Sequence, residues 1–220
     1  LCITGDWGEG DYATGGAHTL IDMRTAGSRY WCNDSYAQAD FRQRMMAKYG
    51  SMDALNTAWG TAFAVPGDIA FPSSPAQKRH WLDFNWWYQQ SLVRFADDLY
   101  QQVKPMFSKT HMGLKPGGAA PPPLYFGQDT IGFARTFRER NVRFQPASCD
   151  SRYFWAKWRA SAYRFYHIPF SSEAGGAYAW EEDMGWLFND IACGMDELYE
   201  FPVHLEKYKD SILAASEHMT

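Results

Sequence analysis

The feature that most narrows what this chain can fold into is an alternation. Short apolar, strand-like runs at 1–5, 109–114, 142–145, up to Glu173 and at 197–201 are separated by stretches whose apolar residues recur every three or four positions, the period of a helix. Strand, helix, strand in that rhythm predicts a parallel sheet covered by helices. Helix signals fill the gaps. Asn33 or Asp34 can cap a helix carrying Tyr36, Phe41, Met45 and Tyr49 and ended by Gly50. Ser51 opens a second helix ended by Gly60. The clearest stripe, Trp81, Phe84, Tyr88, Leu92, Phe95, Leu99 and Val103, predicts a helix over 76–103. Further helices are predicted over 129–140 and over 151–165, the latter with Phe154, Trp155, Trp158 and Ala162 inward. Another runs from a cap at Asp183 to Cys193, the tail from about His204 reads as helical, and the segment from Gly5 to Trp31 reads as loop.

Five parallel strands fall short of the eight in a closed (β/α)8 barrel. The expectation is an α/β fold, the C-terminal part of a TIM barrel (strands four to eight), forming one domain over 1–220 with strands one to three upstream of this sequence. The competing fold is a complete, doubly wound five-stranded domain. No Gly-x-Gly-x-x-Gly turn follows the first strand, which weighs against it.

Two segments carry the chemistry: Ile3-Thr4-Gly5-Asp6-Trp7-Gly8-Glu9-Gly10-Asp11-Tyr12 and His167-Ile168-Pro169-Phe170-Ser171-Ser172-Glu173-Ala174-Gly175-Gly176. In each, an apolar strand runs into a glutamate and then into glycine-rich loop. Strand C-termini of a parallel barrel converge on one face, where reactive side chains sit. Two carboxyl groups across a sugar-sized mouth are the machinery of glycoside hydrolysis, so Glu9 and Glu173 are the candidate catalytic pair. Asp6 and Asp11 flank Glu9, as charges tuning it or as solvated loop residues. Trp7 lies beside it. Gln145 and Asp150, at the end of a strand, are candidates for sugar contacts, and so is Glu200, near the end of the last strand. Tyr178 and Trp180 offer a stacking platform or outer packing.

Composition supports a carbohydrate ligand and excludes other classes. Aromatic residues make up 17% of the chain, with ten Trp, and indole and phenol faces suit both sugar C–H faces and core packing. A net charge of −4 and the absence of a basic run argue against nucleic acid. No apolar run approaches the ~20 residues of a membrane span. Cys2, Cys32, Cys149 and Cys193 lack zinc or redox spacing and read as buried free thiols. Six scattered histidines form no metal-ligand pair, and His111 and His167 read as core residues. Neither a metal nor any other cofactor is expected.

The run Phe41-Arg42-Gln43-Arg44-Met45-Met46-Ala47-Lys48-Tyr49-Gly50-Ser51-Met52-Asp53-Ala54-Leu55-Asn56-Thr57-Ala58-Trp59-Gly60-Thr61-Ala62-Phe63 resembles glycoside hydrolase family 42, the β-galactosidases of clan A. The resemblance implies a retaining β-galactosidase-like enzyme acting on oligo- or polysaccharide, with Glu9 as acid/base and Glu173 as nucleophile. Gly8 departs from the clan, which places Asn there. Trp7 to Tyr12 also distantly resembles the acid-bearing strand of β-amylases, which invert; a non-catalytic sugar-binding barrel is the third alternative. The half-barrel reading further implies self-association or a complementing N-terminal fragment.

Overall fold

The computed structural model describes residues 20–22, 29–32, 34–114, 129–138, 140, 142–144, 147–148, 153–169, 171–174, 180–199, 209–210, 213–214 and 217. In chain order the described elements are β1 (Leu20–Asp22), β2 (Arg29–Trp31), α1 (Ser35–Tyr49), α2 (Met52–Trp59), α3 (Lys78–Val103), β3 (Met112–Leu114), α4 (Thr130–Phe137), β4 (Val142–Phe144), β5 (Ala147–Ser148), α5 (Tyr153–Phe165), β6 (Ser171–Ala174), α6 (Trp180–Cys193) and β7 (Glu197–Tyr199). They group into two compact units. One comprises Tyr12–Leu92 and Leu124–Gly127, the other Leu1–Asp11, Val93–Pro123 and Gln128–Thr220.

In the unit of Tyr12–Leu92, local chemistry sets the helix ends. The Asp34 carboxylate accepts the N–H groups of Tyr36 and Ala37 at 2.9 Å each, so α1 starts there. Gly50, at φ +75°, closes it in the left-handed region that favours glycine. Ser51 Oγ accepts the Ala54 N–H and Gly60 ends α2 in the same way as Gly50. Phe41, Met45, Leu55, Ile69 and Phe84 are buried at the centre. The Phe41 ring meets Phe71 at 5.0 Å, Trp87 at 5.2 Å and Phe84 at 6.1 Å, geometry that adds about 0.5–1.5 kcal/mol per pair beyond area burial.

Two expectations are corrected in this unit. The segment read as loop holds an antiparallel hairpin, Leu20 opposite Trp31 and Asp22 opposite Arg29; three-residue strands are too short to show alternation. Tyr36 is 86% exposed, because it lies five positions, roughly 140° around the helix, from Phe41.

The other unit holds the parallel strands. β3 pairs with β4, Met112 beside Val142 and Leu114 beside Phe144. β5 pairs with β6 and β6 with β7, all parallel. Four of the five expected strands are present, and β5 is a further one, in a different sheet from β4; the strand expected at 1–5 lies outside the described residues. Each described parallel partner is the next strand in the chain, within one sheet of two strands, β3-β4, and one of three, β5-β6-β7.

α5 and α6 end in the same turn. His167 N–H bonds Arg164 C=O at 3.1 Å and Ile168 N–H bonds Tyr163 C=O at 2.9 Å; Gly194 N–H bonds Ile191 C=O at 2.8 Å and Met195 N–H bonds Asp190 C=O at 3.0 Å. This is the Schellman arrangement, with a left-handed residue followed by a buried apolar one, here Ile168 and Met195.

Three helix expectations change. α6 starts at Trp180, not after Asp183, so Asp183 lies within the helix and does not precede it. In α5 the buried face is Ala156, Arg159, Ala160 and Tyr163, while Phe154 points out at 66% exposure, roughly 120° from Ala160. In α3 the stripe of Phe84, Tyr88 and Leu92 gives way after Leu92 to Val93, Ala96 and Tyr100, leaving Phe95 exposed, because the helix passes from one unit to the other.

Candidate active site

Glu173 is the third of four residues in β6, so it stands at the C-terminal end of a parallel strand. Ala147 and Tyr199 are its register partners on the two flanking strands. Ser171, the first residue of the strand, is buried at 2% exposure. Trp180 opens α6, the helix that follows this strand. Glu9, Asp6, Trp7, Gln145, Asp150, Tyr178 and Glu200 lie outside the described residues, so the pairing of Glu9 with Glu173 stays an expectation.

The opposite end of these strands has its own concavity. A cleft of about 420 Å³ is lined by Arg164, His167, Ile168, Pro169, Gly194 and Asp196, at the turns that lead into β6 and β7. His167 and His111 are exposed, which corrects their assignment to the core. Sequence reasoning gave no role to the histidine that is in the core, His80.

The residues that carry the family-42 resemblance build a buried polar knot around Asp83. Its carboxylate accepts Lys48 Nζ at 2.8 Å, Trp59 Nε1 at 2.9 Å and the Tyr49 hydroxyl, and Arg79 Nε stands 3.3 Å away. Burial alone would raise the Asp83 carboxyl; the donors Lys48, Tyr49 and Trp59, together with the Lys48 charge, outweigh it and hold the group below its ordinary value. Asn56 clasps the chain after α2: its Oδ1 accepts Thr61 Oγ1 at 2.8 Å and Phe63 N–H at 3.0 Å, and its Nδ2 donates to Phe63 C=O at 2.9 Å. Arg42 Nε donates to Ile69 C=O at 2.9 Å.

His80 lies flat on Trp59, ring centroids 3.9 Å apart. Its Nε2 is 3.0 Å from Ala70 C=O, which can only accept, so Nε2 carries the proton. Nδ1 is buried and has no hydrogen-bond partner. Burial lowers the imidazole's proton affinity, against the opposing pull of the Ala70 carbonyl and Asp83. These contacts organise a fold; the signal for Asp83 was absent because its hydrogen-bond donors Lys48, Tyr49 and Trp59 lie 24 to 35 positions away in the chain.

The described thiols match the buried free reading. Cys32 and Cys193 are unpaired and buried, and burial pushes both thiols up, away from the reactive thiolate. Cys2 and Cys149 lie outside the described residues. Among the described residues, no group of three or more His, Cys, Asp or Glu side chains gathers as a metal site.

No protein-family model matches the chain, and no curated protein matches it. Solved structures do. The catalytic domain of a β-amylase from Paenibacillus polymyxa superposes with a TM-score of 0.69 at 16% sequence identity, over 84% of this chain and 56% of that one. The described fold is similar to that of this catalytic domain. The chain spans little more than half the length of that neighbour. At this identity the likeness speaks for fold alone, and it does not single out the β-galactosidase family.

Proposed function

We propose that this chain is part of the catalytic domain of a glycoside hydrolase whose two working carboxyl groups are Glu173 and Glu9. The observation that carries the reading is the position of Glu173: the C-terminal end of a parallel strand, in a chain with a glycoside hydrolase fold. Ionised Glu173 attacks the anomeric carbon while protonated Glu9 gives its proton to the leaving oxygen. Glu9 then takes a proton from the water that releases the sugar, with net retention. Glu9 needs the higher proton affinity, and the neighbouring Glu173 charge supplies part of it until glycosylation removes that charge. Asp6, Trp7, Gln145, Asp150, Tyr178, Trp180 and Glu200 would contact the sugar. Substrate of the β-galactoside class follows from the resemblance in 41–63. No cofactor takes part in this double displacement.

We weigh a second reading on the resemblance of Trp7 to Tyr12 to the acid-bearing strand of β-amylases: an inverting enzyme in which Glu173 deprotonates a water instead of attacking the sugar. Proton NMR of the first-formed product decides between them. A nitrophenyl β-glycoside should release the β-anomer under retention and the α-anomer under inversion. Under retention, azide should restore turnover to Glu173→Ala and give the α-glycosyl azide. Full activity in Glu173→Ala would remove Glu173 from the mechanism in both forms and move the search to Asp150 and Glu200.

A further inference from the structure

We infer that the cleft at the turns into β6 and β7 is a second binding site, built for a small organic anion that carries a phosphate or carboxylate group. It lies at the end of these strands away from Glu173, and the inference does not depend on the glycosidase reading.

Arg164 is the residue that argues for it. It stands in the last turn of α5, where a cation complements the helix dipole. The dipole accounts for a cation on α5, but not for its reach to the end of α6. The position a β-carbon would take on Gly194 is 3.7 Å from the guanidinium carbon and 3.8 Å from both Nε and Nη1. The carbon is the nearest of the three, so the guanidinium lies face-on over Gly194. Its N–H groups lie in its own plane and point sideways, away from the backbone beneath. The nearby helix-end carbonyls already accept hydrogen bonds: those of Tyr163 and Arg164 in the turn after α5, those of Asp190 and Ile191 in the turn after α6. Among the described residues, no hydrogen bond or ion pair occupies the guanidinium. A fork of donors held flat on one side and unfilled at its edges is the fitting for a carboxylate or a phosphate.

His167 supplies a second observation. It holds φ +55°, in the left-handed region that favours glycine, at the place in its turn where the turn after α6 has Gly194. A side chain kept in such a conformation costs stability, and costs of this kind gather at binding sites. The residue is exposed and lines the cleft together with Arg164. Asp196, which has an interaction of its own, lines it too, so a bound anion has one carboxylate to contend with. The volume, about 420 Å³, falls among small-molecule sites and exceeds what an inorganic ion needs, so the anionic group belongs to an organic body.

The test is a calorimetric titration of the protein with glucose 6-phosphate, glucuronate and inorganic phosphate, with methyl glucoside as the neutral control. At least one of the two organic anions should bind, and the tighter of them identifies the recognised group as phosphate or carboxylate. Arg164→Gln should weaken that binding about tenfold or more. His167→Gly should weaken it about two- to fivefold while its thermal midpoint stays no lower than the parent's, which separates a lost contact from a lost fold. Asp196→Asn should strengthen it about two- to fivefold by removing the opposing charge. Glu173→Ala should leave it unchanged, since Glu173 stands at the other end of β6. Binding of neither organic anion, a response to inorganic phosphate alone, equal binding of methyl glucoside, or full affinity in Arg164→Gln would overturn the site. Loss of binding in Glu173→Ala would place the ligand at the far end of the strand and overturn it as well.

Discussion

Asp83 is the residue on which the aromatic unit turns, and its environment fixes what a substitution does. Asp83→Ala removes the acceptor for Lys48, Tyr49 and Trp59 together, leaving a buried indole N–H without a partner. The expected cost is about 3–5 kcal/mol, read as a lower urea midpoint at unchanged slope. Lys48→Met should cost less, since Lys48 is partly exposed and Asp83 keeps its other donors. His80 gives a pH signature. Its folded-state proton affinity lies below that of the unfolded chain, so the unfolded state takes up protons first. Its contribution is complete above pH ~6.5 and is lost as pH falls through the lower folded value. Asp83 acts with the same sign further into acid: its contribution is complete above its ordinary carboxyl range and disappears as pH drops through its depressed value. Unfolding free energies between pH 7 and 5 should fall for the parent and be flatter for His80→Phe, whatever the stability of that variant. Neither residue could be found in the sequence. A periodicity reading counts apolar positions, and it passes over a polar residue whose partners are set by long-range packing.

Elements were legible where a single residue decides the geometry. Asp34, Gly50, Ser51 and Gly60 cap the helices they were expected to cap, because a side-chain acceptor or a left-handed φ is a local requirement. The β1–β2 hairpin escaped because a strand pairing is a relation between two segments, and the start of α6 because an acid at a helix entrance serves equally as cap or as first-turn residue. The paired turns after α5 and α6 allow a two-sided check. Gly194 has φ +91° and open space around a β-carbon, the nearest atom being the Arg164 guanidinium at 3.7 Å. Gly194→Ala should therefore cost about 1 kcal/mol from backbone strain alone. His167 occupies the equivalent position at φ +55°. His167→Gly should gain about 0.5–1 kcal/mol, the relief of strain exceeding the added freedom of the unfolded chain. A thermal melt of both variants checks the opposite signs.

At the scale of the whole molecule, the sequence conveyed the class of fold and the parallel strands, and the superposition on a hydrolase domain agrees with it. It could not convey which glutamates face one another, because that depends on how the described strands meet segments outside them. Within the sheet, β6 has a strand on each side, and its first residue is buried. Its amides should exchange with deuterium more slowly than those of β7, which has one described neighbour. The knot around Asp83 has a consequence of another kind. The residues from 41 to 63 by which this chain looks like a hydrolase guard a salt bridge, clasp a loop and fill a core, while the chemistry assigned to Glu173 lies more than a hundred positions away. The likeness and the proposed chemistry thus stand in different parts of the sequence. Replacing Glu173 by alanine would leave every contact of the knot, and with it the whole likeness, untouched, while removing the carboxyl group on which the proposed reaction depends.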